Sequence, residues 1–271
     1  MYKPLDCLFK VKKELSGLPN YASQAMWLCC KMLNLDSANM LLNIKDVSEE
    51  EYNLLMEKAN KLKEGYPLQY LLGTTQFMGL EFMVRENVLI PRNDTEPMTE
   101  LTIKHIGNKA MNVLDLCCGS GCIGLSIKYY CNNSRVALSD ISYHALRLAK
   151  DNAKALNLPV DIIQTDMFEN IKGSFDVIIS NPPYIPSDVI PTLSTQVRHE
   201  PVLALNGSED GLKFYRIISE NYRHFLKEDG VLFLEIGHDQ GESVSAIFGG
   251  GDIIKDLQGN NRILRLEKKD V

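Results

Sequence analysis

The chain has no run of about 18 apolar residues, the length a helix needs to cross a bilayer. Its start, MYKPLDCLFKVKKELS, carries scattered charges in place of an unbroken apolar segment. Membrane spanning and secretion are therefore not expected. A basic excess is also missing. The formal charge is -6 and the pI is near 5.5, whereas holding nucleic acid by neutralising phosphates calls for a basic domain or stripe. No stable nucleic-acid complex is expected.

Cysteines at C-x-x-C spacing are absent. The seven cysteines are an odd number, several lying in apolar runs such as Cys29-Cys30 and Cys117-Cys118. That usage fits a reduced, cytoplasmic protein. The pair Cys118-x3-Cys122 has no second pair to complete four ligands, so no metal site is expected. The five histidines are dispersed, and no G-x-S-x-G signature marks a Ser-His-Asp hydrolase. Internal repeats and low-complexity segments are lacking as well.

The 271 residues, 45% hydrophobic and 24% charged, suit one large domain or two modest ones. From Tyr2 to Leu72 apolar residues recur at helical spacing, for example Tyr52, Leu55, Met56, Ala59 and Leu62 behind a Ser48-x-x-Glu51 capping box. Gly65, Pro67 and Gly73 interrupt that pattern, and Gln76 to Leu89 reads as a short hairpin around Gly79. After Lys109, short apolar runs alternate with helical segments: Met111 to Leu116, Arg135 to Ser139, Val160 to Ile163, Phe175 to Ser180 and Val231 to Ile236. Such alternation predicts βαβ units and a parallel sheet. Two further runs, Asp252 to Leu257 and Arg262 to Glu267, flank Gly259-Asn260-Asn261 and predict an antiparallel hairpin at the sheet edge. The expected class is α/β, with a Rossmann-like, mostly parallel sheet preceded by a small all-α domain. The expected boundaries are a helical domain over 1–72, a β-hairpin linker over 73–92 and a large domain over 93–271.

The first strand of the large domain runs into Asp115-Leu116-Cys117-Cys118-Gly119-Ser120-Gly121-Cys122-Ile123-Gly124. Gly119 to Gly124 is literally G-x-G-x-x-G, and Asp140 follows at about the distance of a ribose-binding acid. A nicotinamide enzyme and a methyltransferase share these features. Asp115, at the strand end, suits the ammonium group of a methionine moiety and would repel a pyrophosphate. Asp140 is equally an ordinary helix-capping position.

The strand Phe175 to Ser180 ends in Asn181-Pro182-Pro183-Tyr184. In an open α/β sheet this tetrapeptide stands beside the glycine loop, at the ligand crevice. A planar amide nitrogen is a poor nucleophile because its lone pair is delocalised. It needs hydrogen-bond acceptors that orient the NH2 group more than it needs a strong base. The Asn181 side-chain oxygen and the Pro182 carbonyl can both accept, and Pro182 has no N–H to compete. Pro183 stiffens the turn, and Tyr184 offers a flat face to a planar group.

At this point the chain resembles a known family. The combination of DLCCGSGCIGL, Asp140, Asp166-Met167-Phe168 and NPPY is similar to amino-methyltransferases. The segments VLIPRNDTE, HEPVLALNGSEDGLKFYR and LFLEIGHDQG resemble the HemK/PrmC glutamine N5-methyltransferases of peptide-chain release factors, and the likeness spans nearly the whole chain. It implies a helical substrate-recognition domain, a hairpin linker and a methyltransferase domain that uses S-adenosyl-L-methionine. The implied acceptor is the glutamine of the GGQ loop in class 1 release factors. It further implies that Cys117, Cys118, Gly119, Ser120 and Gly121 line the cofactor loop. Asp140 would hold the ribose, Asp166 and Met167 would flank the adenine, and Asn181, Pro182, Pro183 and Tyr184 would hold the glutamine amide. Residues 90–96 would close over the site. Relatives usually carry proline in place of Asn93 and glycine in place of Ser208. Arg92 and Glu96 are equally readable as a surface ion pair, and His199 and Glu200 as a loop that packs near the substrate. The alternative readings are a nucleic-acid adenine N6-methyltransferase, disfavoured by the acidic charge and the helical N-terminal part, and a nicotinamide-dependent oxidoreductase, disfavoured by NPPY.

Overall fold

The computed structural model describes residues 1–256 and 258–270. They group into two compact units, one comprising Met1–Thr74 and Ser194–His199, the other Thr75–Leu193 and Glu200–Val271.

The first unit is helical: α1 (Pro4–Glu14), α2 (Tyr21–Leu33), α3 (Ser37–Leu41), α4 (Glu49–Lys63) and α5 (Leu68–Leu72). Their apolar stripes converge on Leu8, Val11, Leu28, Leu55 and Leu62, all at most 1% exposed. The start of α4 is fixed by a reciprocal capping box, in which the Glu51 N–H donates to Ser48 Oγ at 3.1 Å and the Ser48 N–H donates to Glu51 Oε2 at 2.8 Å. This satisfies two backbone donors that a helix start otherwise leaves open. The short helix α9 (Thr195–Arg198) belongs to the same unit. Gly65 permits its approach, since a Cβ there would stand 2.6 Å from Thr195 Cγ2.

The second unit begins with an antiparallel hairpin, β1 (Thr74–Phe77) and β2 (Leu80–Met83), followed by α6 (Glu96–Ile106). Then comes the alternating part: β3 (Asn112–Leu116), α7 (Cys122–Tyr130), β4 (Arg135–Asp140), α8 (Tyr143–Ala155), β5 (Asp161–Gln164) and β6 (Phe175–Ser180). It ends with α10 (Lys213–Phe225), β7 (Leu226–Glu235), α11 (Gly241–Phe248), β8 (Asp252–Lys255) and β9 (Asn261–Glu267). The strand order is β5-β4-β3-β6-β7-β9-β8. The pairs among β3 to β7 are parallel, and β9 runs antiparallel between β7 and β8.

Side chains alternate across the strands and build a core on each face. Val113, Leu138, Ile179 and Phe233 face one core, whereas Leu114, Ala137, Ile178 and Leu232 face the other together with Tyr215, Ile218 and Tyr222 of α10. The mixed α/β class and the mostly parallel sheet agree with the sequence pattern. Strand β7 starts five residues earlier than its apolar run, because its first half carries the exposed Glu228-Asp229 step and the pairing with β6 shifts register between Phe175 and Val177. The last residue of the expected strand Asp252 to Leu257 lies outside the described residues.

Candidate active site

The order in which strands are added to the sheet reverses between the parallel neighbours β3 and β6. From β3 the sheet continues through β4 and β5 on one side and through β6 and β7 on the other. A crevice opens at the carboxyl ends of strands at such a switch point. Here it is lined by Cys117, Cys118, Gly119 and Ser120 after β3, Asp140 after β4, Asp166 and Met167 after β5, and Asn181 and Pro183 after β6. Pro91, Arg92, Thr95, Pro201 and Phe214 complete its wall.

The loop after β3 is held from several directions. Asp140 Oδ2 accepts the Gly119 N–H at 2.9 Å and its Oδ1 accepts the Ser142 N–H at 2.8 Å. The Ser120 carbonyl accepts from Asn152 Nδ2 at 3.0 Å, and the Asn152 side chain also bonds both backbone groups of Met83 in the hairpin. Burial pushes the Asp140 carboxyl above its usual range, against the two N–H bonds that favour its charge. Each carboxylate oxygen keeps a second lone pair for a hydroxyl. Gly119 has φ +56°, and a Cβ there would meet no protein atom within 4 Å, so the glycine leaves open room for a ligand. Two residues that are not glycine, Cys117 (φ 62°) and Met167 (φ 46°), also sit in left-handed backbone at this pocket, their sulfurs 3.9 Å apart. Such conformations are costly and concentrate at ligand sites.

Asp115 does not line the pocket. It is fully buried beneath the loop, outside the pocket wall, where Oδ2 accepts the Gly124 N–H at 2.8 Å. Burial pushes its pKa up to about 8. Gly121 is likewise absent from the wall and instead caps α7 with φ +79°.

In the acceptor segment, Asn181 and Pro183 line the pocket while Pro182 and Tyr184 do not. The Asn181 Nδ2 donates to Thr95 Oγ1 at 3.3 Å. Tyr184 turns its hydroxyl inward to Glu235 Oε1 at 3.3 Å, and its carbonyl accepts from Gln240 Nε2 at 3.0 Å. Its ring is therefore anchored behind the pocket instead of forming a face of it. Two glycines hug this segment: a Cβ on Gly207 would lie 2.8 Å from Tyr184 Cα, and one on Gly211 would lie 2.4 Å from the Tyr184 carbonyl oxygen. Bonds from Ile185 N to the Leu205 carbonyl and from Gly207 N to the Ile185 carbonyl, at 2.9 and 2.8 Å, complete the clasp.

Of the two readings of Arg92 and Glu96, the surface ion pair between them is not formed. Arg92 pairs with Glu200, which is 4% exposed and also accepts the Ile90 N–H at 2.9 Å, while Glu96 accepts the Met78 N–H at 2.6 Å. Glu200 thereby ties the 90–92 stretch in place, because a buried carboxylate needs such partners. His199 packs its ring 5.3 Å from Tyr66 within the helical unit. Among the described residues no group of three or more His, Cys, Asp or Glu could hold a metal ion, and no helix is long and apolar enough to cross a membrane.

Comparison with known proteins decides among the readings. The model of the methyltransferase small domain matches residues 82–196, and that of the PrmC N-terminal domain matches residues 7–73. A release factor glutamine methyltransferase of Clostridium botulinum is 38% identical over 270 residues, covering 93% of this chain and 94% of its own length. The chain belongs to the release factor glutamine methyltransferase family. Another member, from Thermodesulfovibrio yellowstonii, is 33% identical over 97% of this chain and 99% of its own. A methyltransferase from Pyrococcus furiosus shares the fold, with a TM-score of 0.54 at 16% identity, over 82% of this chain and 99% of that one. The enzyme is thus a glutamine methyltransferase and its cofactor is S-adenosylmethionine.

The pocket fits that cofactor. Asp140 offers a carboxylate to hydroxyl groups, Gly119 leaves space that a Cβ would fill, and Met167 and Ile141 supply apolar wall. Sequence reasoning placed Thr95 only within the closing segment 90–96 and passed over Glu235, Gln240, Gly207 and Gly211. Each lies in one of the three segments that carry the family resemblance, which is the signal that marks them; none is recognisable by residue type alone.

Proposed function

We propose that this methyltransferase modifies the side-chain nitrogen of the glutamine in the glycine-rich GGQ loop of class 1 peptide-chain release factors, with Asn181 and Pro182 accepting hydrogen bonds from the reacting amide. The observation that carries the reading is the direction of the Asn181 amide. Its Nδ2 is engaged by Thr95, which leaves Oδ1 as an acceptor at the pocket that Gly119 and Asp140 also line. Bound there, S-adenosylmethionine supplies an electrophilic methyl group. The Asn181 oxygen and the Pro182 carbonyl hold the substrate NH2 in a near-attack orientation and stabilise the positive charge that develops on nitrogen. The tight clasp on Tyr184 keeps both acceptors preorganised.

Asp140 is proposed to bind the ribose hydroxyls, and Asp166 and Met167 to flank the adenine. The helical unit is proposed to recognise the protein substrate, supported by the exposed apolar side chains Phe9, Trp27 and Leu42 on its surface. A cytoplasmic location is supported by the seven cysteines, all of which are free thiols. The net charge of -6 supports a protein acceptor over a nucleic acid.

The test is incubation with labelled S-adenosylmethionine and intact release factor, DNA, RNA or free glutamine, followed by mass mapping. The methyl group is expected on the glutamine of the GGQ loop of the release factor. A methyl group on adenine would overturn the proposal.

A further inference from the structure

Helix α11 begins at a residue that does not cap it. Gln240 stands just before Gly241, where Ser, Thr, Asp or Asn would bond the first free N–H groups, and its side chain makes no such bond. Its backbone is fixed on both sides. The Gln240 N–H donates to the Gly237 carbonyl at 3.0 Å, and the Gln240 carbonyl accepts the Val244 N–H at 2.9 Å. The buried side chain reaches instead to the acceptor segment. Nε2 donates to the Tyr184 carbonyl at 3.0 Å and lies 3.5 Å from the Gly211 carbonyl, while Oε1 accepts the Gly237 N–H at 3.0 Å. Carbonyls at one end and an N–H at the other leave the amide a single orientation. Two glycines make room for it: a Cβ on Gly237 would lie 2.6 Å from Oε1, and one on Gly211 would lie 2.7 Å from Nε2.

The bond gains its importance from how the acceptor segment is otherwise tied. Strand β6 ends at Ser180, and neither Pro182 nor Pro183 has an N–H with which to bond the frame. Their rings fix φ, so the turn is a stiff unit whose aim is set at its two ends. At one end Asn181 Nδ2 meets Thr95 Oγ1 at 3.3 Å. At the other, Gln240 holds the Tyr184 carbonyl and the Leu205 carbonyl holds the Ile185 N–H at 2.9 Å. The Tyr184 hydroxyl, 3.3 Å from Glu235 Oε1, anchors the ring and not the backbone. Gln240 itself is not on the pocket wall. A misplacement of about 1 Å at a reacting group costs on the order of 100-fold in rate, so an anchor outside the pocket is enough to govern turnover.

We propose that Gln240 is a positioning residue for methyl transfer: by holding the Tyr184 carbonyl it sets the aim of the Asn181 oxygen and the Pro182 carbonyl at the substrate amide. This rests on those two groups serving as the amide clamp.

The experiment compares Gln240→Met, Gln240→Glu, Asn181→Ala and the double variant Gln240→Met/Asn181→Ala. Methylation of intact release factor is measured at saturating cofactor across pH, well below each variant's unfolding midpoint, with cofactor affinity by calorimetry. Gln240→Met keeps the length of the side chain and loses both bonding ends. Its kcat should fall roughly 10- to 100-fold, with cofactor affinity and the KM for release factor retained. In Gln240→Glu the ionised carboxylate sets an acceptor against the Tyr184 and Gly211 carbonyls. The protonated acid restores a donor to Tyr184 and still accepts the Gly237 N–H. The titratable groups around this position are Tyr215 of α10, its hydroxyl 3.5 Å from Oε1, and Tyr184, Glu235 and Asp239, which act on that same hydroxyl. Burial and the two neighbouring carboxylates both raise the pKa of the introduced acid. Turnover of Gln240→Glu relative to the parent should therefore rise as pH falls, while the ratio for Gln240→Met stays flat. The double variant should lose less than the product of the single losses, because Gln240 acts through Asn181. Should Gln240→Met fail to fold, the pH response of Gln240→Glu still decides the matter. Normal turnover in Gln240→Met beside an impaired Asn181→Ala would overturn the inference and leave the clamp intact. So would a flat ratio for Gln240→Glu, a fall in cofactor affinity as large as that in kcat, or losses that multiply in the double variant. Near-normal turnover in Asn181→Ala would overturn the clamp and the inference together.

Discussion

The glycine loop and the acceptor segment line one pocket, yet they are held in different ways. The loop from Cys117 to Gly124 is fixed mainly by its own βαβ neighbourhood: Asp115 from the preceding strand, Asp140 from the next one, and Asn152 from the following helix. The acceptor segment depends on distant chain, with Thr95 lying 86 residues away, Glu235 51 and Gln240 56. Gly207 and Gly211 close around it from a further loop. Cofactor recognition thus rests on a local motif, and acceptor geometry on a tertiary frame. Damage to the first should appear in cofactor affinity and damage to the second in turnover.

The strongest test of that division is a crossed pair. Asn181→Ala should lower the methylation rate by about two orders of magnitude or more, as for loss of one preorganised transition-state contact, with a smaller effect on cofactor affinity. Asp140→Ala should do the reverse, weakening S-adenosylmethionine binding by roughly 10- to 100-fold through loss of charge-assisted bonds worth about 1.5–3 kcal/mol. Calorimetry and steady-state rates on both variants check the pair, and equal effects of each on both quantities would erase the distinction.

Gly211→Ala probes the frame without touching the pocket wall. Its φ of +73° and the 2.4 Å approach of a new Cβ to the Tyr184 carbonyl oxygen should cost about 1–3 kcal/mol of stability. Turnover should fall while cofactor affinity holds, which urea unfolding and calorimetry can check.

Asp115→Asn examines the local side through pH. The folded-state pKa of about 8 lies above the ordinary 3.8. The folded protein therefore keeps a proton that the unfolded chain releases, and stability falls as pH rises through that window. The asparagine still accepts the Gly124 N–H, so it should flatten this fall. The variant should gain on the order of a few kcal/mol over the parent at the alkaline end. Urea unfolding at the two ends of the window measures the difference, and an unchanged slope would remove Asp115 as its source.

The smallest effect is expected from Ser208→Gly. Ser208 adopts φ 77° beside the clasp, a backbone region costing a side chain about 1–2 kcal/mol, and glycine returns part of the gain through its freer unfolded chain. A net stabilisation under about 1 kcal/mol, read from the thermal midpoint, would show that the left-handed backbone at Ser208 is strained.

Elements carried by contiguous pattern were readable before any coordinates. The strands Arg135–Asp140 and Phe175–Ser180 follow their apolar runs closely, since a parallel strand covered on both faces must be apolar throughout. The first half of β7 was hidden because Glu228 and Asp229 bulge to solvent. The placement of Asp115 was hidden for a related reason. Its place at a strand end was plain, but which way its carboxylate turned depended on the Gly124 N–H, a donor presented by the fold of the next turn.

The sequence by itself determined the class of protein, the family and the two motifs that meet at the sheet switch point, because glycines, prolines and periodic apolar residues act on their immediate neighbours. Tertiary structure alone decided which groups stand behind those motifs. Thr95, Glu235, Gly207, Gly211 and Gln240 look ordinary in the chain. Their effect comes from burial and from hydrogen bonds closed over long separations, where low polarity makes the direction of each bond matter. Which end of an asparagine side chain at a strand end turns to the pocket depends on what its other end meets, and the Asn181 Nδ2 donates to Thr95 Oγ1.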